Sequence, residues 1–219
     1  MPMLMPPSLL NSCRRELILM LDLLVACIIV QVLADGWMWQ IVNQYQDLPL
    51  LAILHLMPGR LLLSTILTAG MLFFVVYRMT TTQCLLADRG MFVLGCGAVA
   101  GFIADFLKFV FGRSYPDAEA NYGLSSYHPF HSDVGLGSFP SAHAAMAAGI
   151  AASLAIIWPD HRRLFIFLAS LVAGARFVAG IHYPSDVLLG FATGLGAVVV
   201  TCVVFYAAGI NLHQINSKS

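Results

Sequence analysis

Charge is what this sequence has least of. Only 10% of its 219 residues are Asp, Glu, Lys or Arg, and the 11 acids and 11 bases cancel. Soluble domains carry about a quarter charged residues, so an ordinary water-facing surface is excluded. Without net positive charge the chain also lacks the electrostatic footprint of a nucleic-acid binder, and no nucleic-acid partner is expected. Cysteine is sparse too. Cys13, Cys27, Cys84, Cys96 and Cys202 fit no metal-binding spacing, and those in apolar runs read as inert core or lipid-facing residues. There is no internal repeat, and no low-complexity tract beyond Ala and Gly richness in the later apolar stretches.

What is abundant is apolar: 59% of the residues, with a mean hydropathy of +0.83. This is the composition of a polytopic membrane protein. The length suits one compact bundle, so residues 1–219 are expected to form a single transmembrane domain. Crossing the hydrocarbon core takes about 20 mostly apolar residues. Six stretches qualify or come close: 17–34, 61–77, 91–111, 142–158, 164–180 and 187–210. The expected fold is therefore all-α, a bundle of six transmembrane helices. A shorter apolar segment, 48–57, is expected to lie along the interface. Trp37 and Trp39 follow the first stretch, where an aromatic belt belongs. Arg14-Arg15 before an apolar run mimics a secretory signal. The run is long, holds Asp22 and lacks a small-residue cleavage site, so an uncleaved first span is the better reading.

Lys and Arg set the orientation. With the N-terminus inside, the inner segments hold Arg14, Arg15, Arg78, Arg89, Arg162, Arg163 and Lys218, against Arg60, Lys108, Arg113 and Arg176 outside. Seven against four is the direction of the positive-inside rule. Both termini are then expected in the cytoplasm.

This topology gathers the polar residues at one face. Lys108 and Arg113 end the third stretch, and Ser141 and His143 open the fourth. Arg176 closes the fifth, and His182 and Asp186 stand at the entry to the sixth. Ionisable groups near a bilayer are expensive and suggest function. Snorkelling explains any one of them but poorly explains all seven on four helix ends. Cations in excess of acids imply an anionic ligand, for which Arg offers a planar fork and Lys a point charge. Pro140-Ser141 reads as the first turn of a helix, whose free N–H groups are suited to phosphate. Histidine serves as nucleophile or general acid/base near neutral pH. A nearby Asp can hold one imidazole nitrogen protonated and free the other.

The same residues resemble the type 2 phosphatidic acid phosphatase (PAP2) superfamily, also called acid phosphatase/haloperoxidase-like. Its motifs are K-x6-R-P, P-S-G-H and S-R-x5-H-x3-D. The third reads ARFVAGIHYPSD here, with Arg176, His182 and Asp186 at the family spacing. The second reads PSAH, with Ser141 and His143 in place. The first reads KFVFGRSYP, with Lys108 and Pro116 in register. The resemblance covers about residues 91–208. Three positions depart from it. Tyr115 takes the usual Arg position with Arg113 two residues earlier, Ala142 replaces Gly, and Ala175 replaces Ser.

The resemblance implies a metal- and cofactor-independent lipid phosphatase. His182 would attack phosphorus and form a phosphohistidine, and Asp186 would orient it. Lys108, Arg113, Arg176, Ser141 and the backbone at Ala142 would hold the phosphate. His143 would protonate the leaving oxygen and then activate water. Tyr115, His128 and His131 are expected near the substrate, the two histidines as loop residues rather than metal ligands. The substrate would be an amphiphilic phosphate or pyrophosphate: phosphatidic acid, phosphatidylglycerophosphate, a polyprenyl pyrophosphate or a lipid A-like glycolipid. A phosphotransferase with the same intermediate, and a non-enzymatic lipid-phosphate binder or transporter, stay open as alternatives. The implied location is a bacterial inner membrane, with the active site facing the periplasm. Asp105, three residues before Lys108, reads as a salt-bridge partner on one helix face.

Overall fold

The computed structural model describes residues 7–45, 60–80, 85–131 and 133–210. The short apolar segment 48–57, Cys84 and Lys218 lie outside them. Among the described residues the fold is all-helical, with isolated antiparallel bridges only at Arg113–Tyr127 and Ser114–Leu136. In chain order the helices are α1 (Pro7–Leu33), α2 (Asp35–Asn43), α3 (Arg60–Thr80), α4 (Leu85–Phe111), α5 (Glu119–Tyr122), α6 (Ala142–Ile157), α7 (Arg162–Val178) and α8 (Pro184–Ala207).

Helix α8 is the hub, packed against α1, α4 and α6, while α3 lies on α4 and α7 on α6. Small residues make the closest of these contacts. A Cβ added at Gly190 would stand 2.6 Å from Ser141 O, and one at Gly194 would stand 2.8 Å from Gly149 N. The backbones of α6 and α8 therefore touch over two helical turns, as small residues allow between helices in a membrane. Below the helix ends, Ala142, Ala145, Met146, Ala100, Ala104 and Ala197 pack into one core cluster. Cys27, Phe139, Leu189 and Ala192 form another.

Among the described residues, four helices are long and apolar enough to cross a membrane: Leu10–Leu33, Leu62–Thr80, Leu85–Phe111 and Pro184–Ala207. Helix α6 is apolar but has 16 residues, and α7 has 17. At 1.5 Å per residue these reach about 24 to 26 Å, short of the hydrocarbon thickness of about 30 Å. The expected fourth stretch, 142–158, matches α6 closely, while α1 and α4 begin earlier than expected. Both helices continue through the charged residues Arg14, Arg15, Asp88 and Arg89, where apolarity alone marks no boundary. The fifth stretch was expected to run to residue 180 but stops at Val178, because Gly180 takes φ +71°. Gly180 N–H donates to Phe177 O and Ile181 N–H to Arg176 O, a Schellman-type closure.

Trp37 is exposed, whereas Trp39 is buried and meets the ring of Tyr183 edge-on at 6.4 Å. Trp39 departs from the belt expected of the pair, since the chain turns into α2 and carries it inward.

Candidate active site

Four helix ends converge: the C-termini of α4 and α7 and the N-termini of α6 and α8. Helix α4 delivers Lys108 one turn before its end. At Gly112 the chain turns with φ +57°, and a Cβ there would sit 1.8 Å from His128 O, so only glycine fits. The loop that follows folds back over α4. Ser114 N–H donates to Ser126 O, Tyr115 N–H to Gly135 O, and Gly137 and Ser138 N–H both to Arg113 O. Lys108 Nζ in turn donates to Gly137 O.

The Schellman closure of α7 explains how Arg176 and His182 come together. It ends the helix just past Arg176 and turns the chain back within five residues. Tyr183 caps α8 with Pro184 at its first position, where a missing N–H costs nothing. Asp186, at the third position of α8, reaches back to accept Tyr183 N–H at 2.9 Å. The same oxygen lies 3.3 Å from His182 Nδ1. Asp186 is fully buried and His182 nearly so. Burial is the main influence on His182 and pushes its imidazole down to about 4, against the opposing hydrogen bond to Asp186. The ring is therefore neutral at pH 7. With Nδ1–H donating to Asp186, Nε2 carries the lone pair.

Helix α6 begins beside this pair. Ser141 is its N-cap, and Ser141 N–H donates to Asp186 O at 2.9 Å, joining the starts of α6 and α8. Ala145 N–H is the first to bond back to Ser141 O. The N–H groups of Ala142 and Ala144 thus have no partner within the helix.

A cavity of about 520 Å³ opens here. Lys108, Tyr115, Ala142, His143, Arg176 and His182 all line it. Nε of the lining residue Arg176 and Oγ of Ser141, which directly precedes the lining residue Ala142, are buried with no hydrogen-bond partner among the described residues. Native proteins rarely leave such groups unpaired, and both suit the oxygens of a tetrahedral anion. Tyr115 stands in the cavity with Lys108 Nζ 5.5 Å from its ring centre and the His182 ring 5.7 Å away. The aromatic that replaces the expected Arg therefore shapes the site.

Arg113 is a correction. Expected among the phosphate ligands, it is fully buried and does not line the cavity. Two carboxylates claim its fork: Nη1 donates to Asp186 Oδ1 at 2.6 Å and Nη2 to Asp35 Oδ2 at 2.7 Å. Ser125 and Ser185 hydroxyls take further donors. His128 and His131 are also placed away from the cavity. His128 Nε2 pairs with Ser126 Oγ, and His131 is exposed and bonds Pro129 O. Among the described residues no group of three or more His, Cys, Asp or Glu could hold a metal ion.

Sequence reasoning missed three residues. Asp35, on α2, binds Arg113, and its carboxylate also accepts from the Ser185 N–H and hydroxyl. Its only signal was an acid directly after an apolar run. Asp117 and Asn121 line the cavity from the 112–139 loop, where nothing in their spacing marked them.

Comparison with known proteins gives the same picture. The chain is 36% identical over 111 residues to a lipid A 1-phosphatase of Rhizobium johnstonii, covering 51% of this chain and 46% of the relative. It is 37% identical over 114 residues to a decaprenylphosphoryl-5-phosphoribose phosphatase of Mycobacterium tuberculosis, covering 51% and 60%. The chain thus spans about half the length of the curated relatives it matches. A transmembrane PAP2-type phosphatidylglycerolphosphate phosphatase from Bacillus subtilis superposes with a TM-score of 0.51 at 25% identity, over 88% of this chain and 96% of that one. The apolar helices and these relatives mark a multi-pass integral membrane protein. The PAP2 superfamily model matches residues 89–210, which hold every helix end of the site, and the chain belongs to that superfamily.

Proposed function

We propose that this protein is a membrane lipid phosphatase that works through a phosphohistidine. One observation carries the reading: a buried His182, held at Nδ1 by Asp186, shares a cavity with Lys108 and Arg176. The phosphate enters with its oxygens toward Lys108, Arg176, Ser141 Oγ and the N–H groups at the start of α6. His182 Nε2 attacks phosphorus, and the bond to the lipid oxygen breaks. His143 gives that oxygen its proton, then takes one from the water that cleaves the phosphohistidine. Fixed donors around the phosphoryl oxygens stabilise the charge that spreads onto them.

The substrate is an amphiphile with its phosphate at the polar end. The relatives named for lipid A 1-phosphate, decaprenylphosphoryl-5-phosphoribose and phosphatidylglycerolphosphate support that class. The site lies at the end of the bundle opposite the cation-rich helix ends. We place it at the outer face of the membrane, with α6 and α7 completing six crossings.

Phosphate release from a panel of lipid phosphates in detergent, with EDTA present, tests the assignment. Release from at least one lipid is expected, together with loss of activity in His182→Ala by about 10⁴-fold or more. Unchanged activity in His182→Ala, or no release from any lipid, overturns it.

A further inference from the structure

Behind His182 lies a cluster with an unusual charge count. Asp35, Arg113 and Asp186 are each nearly or wholly buried. One guanidinium bridges two carboxylates, at 2.7 Å to Asp35 and 2.6 Å to Asp186. Asp35 comes from α2, a helix that none of the three motifs includes. Its second oxygen accepts Ser185 N–H at 3.0 Å, so it also grips the first turn of α8. Arg113 lies over the Tyr183 ring at 4.1 Å, which leaves its fork little freedom to turn.

Two anions against one cation leave the hydrogen-bonded cluster itself with a net negative charge on the Nδ1 side of His182, while Lys108 and Arg176 face the ring from the cavity, where a bound phosphate would offset them. A lone ion pair of Arg113 and Asp186 would be neutral, and Asp186 would then face His182 with its charge already compensated. Buried uncompensated charge is expensive, so this excess calls for a partner. Phosphoryl transfer provides one. When Nε2 bonds to phosphorus and keeps its proton on Nδ1, the ring becomes cationic. The cluster is then balanced, two anions against two cations.

We propose that Asp35 is a positioning residue that tunes the Arg113–Asp186 pair, so that the buried cluster matches the charge of the phosphorylated His182 ring rather than that of the resting ring. Asp35 touches neither substrate nor His182. It acts by drawing part of the guanidinium's charge away from Asp186. The P–O bond to the lipid still breaks with its electrons on the leaving oxygen, which takes its proton from His143. Asp35 changes only the stability of the imidazolium formed in that step.

The inference rests on His182 being the nucleophile. The test is rapid-quench measurement of phosphohistidine formation, with the most active lipid phosphate of the panel. In Asp35→Asn, Arg113 is left to Asp186 alone. The phosphorylation rate is expected to fall on the order of 10- to 100-fold, with KM for the lipid little changed. In the double variant Asp35→Asn/Arg113→Gln, Asp186 faces His182 uncompensated again, and the rate should recover at least several-fold over the single variant. A structural role alone predicts the opposite, since the second substitution removes more contacts. Phosphorylation at the wild-type rate in Asp35→Asn, or a double variant slower than the single, overturns the proposal. So does a loss confined to KM. If a single variant fails to fold, the double variant decides: its charge balance equals that of the wild type, and it should phosphorylate at a measurable rate. His182→Ala separates the two readings. Activity surviving there sinks the nucleophile itself, whereas an inactive His182→Ala beside an unaffected Asp35→Asn sinks only the role of Asp35.

Discussion

A histidine can attack phosphorus only while one ring nitrogen is unprotonated, and His182 is kept that way chiefly by burial. The charges of Lys108 and Arg176 add to that push, and the hydrogen bond to Asp186 opposes it. A folded-state value near 4 lies below the ordinary 6.5, so protonation favours the unfolded chain. The contribution to stability is complete above about 6.5 and is lost as pH falls from there toward 4. The neutral ring of the folded chain persists further down, toward pH 4. Carbethoxylation of His182, followed by mass spectrometry against pH, reads the neutral ring without interference from the substrate's own phosphate ionisation. Its midpoint should fall well below 6.5; a midpoint at or above 6.5 contradicts the burial argument. At this scale the residues proposed to carry the chemistry were legible as a group, because each sits at a helix end whose spacing survives in the sequence. The role of Arg113 was not. It depends on Asp35, 78 residues away in the chain, and no local spacing brings the two together. A cation beside a phosphate motif looks the same in sequence whether it faces the phosphate or the carboxylate behind it.

Between helices, the site depends on how closely α6 and α8 approach. Ser141 and Asp186 meet because Gly190 and Gly194 leave no side chain between the two backbones. The apolar stretches predicted both helices well, yet nothing in apolarity reveals which glycine faces a neighbour and which faces lipid. Gly174, by contrast, has nothing within 4 Å of an added Cβ. A pair of substitutions separates these environments. Gly194→Val forces a branched side chain against Ala148 Cβ and Gly149 N, and overpacking of this kind costs about 1 to 3 kcal/mol. Thermal unfolding in detergent should show a clearly lower Tm for Gly194→Val. Gly174→Ala should leave Tm unchanged or slightly raised, because alanine favours a helix. Equal effects of the two would mean that α6 and α8 are not in backbone contact. The two short helices, α6 and α7, belong to the same logic. The start of α6 and the end of α7 line the cavity with Ala142, His143 and Arg176, and polar residues at a helix end shorten the apolar run that hydropathy reads.

Across the whole molecule, charge is sorted between the two ends of the bundle. At one end Arg15 and Arg162 lie against buried Glu16, and Arg78 pairs with Asp88 between α3 and α4. Arg14, Arg89 and Arg163 belong to the same helix ends. At the other end, where α3 starts at Arg60, the cations Lys108, Arg113 and Arg176 are each buried and tied to the site. A cation held for catalysis says little about topology, since it would be kept on either side of the membrane. Removing these three from the count sharpens the asymmetry, and the positive-inside rule then predicts a cytoplasmic Glu16 end. Two single cysteines test this, in a background with Cys84 replaced by Ser. The buried Cys13, Cys27, Cys96 and Cys202 are shielded from reagent. Val134, almost fully exposed in the loop over the cavity, is replaced by Cys in one variant, and Arg163 at the start of α7 in the other. A membrane-impermeant maleimide applied to intact spheroplasts should label Val134→Cys and spare Arg163→Cys, which should react only after permeabilisation. The reverse pattern would put the phosphate cavity on the cytoplasmic side, and the lipid phosphates within reach of the enzyme would then be those of the inner leaflet.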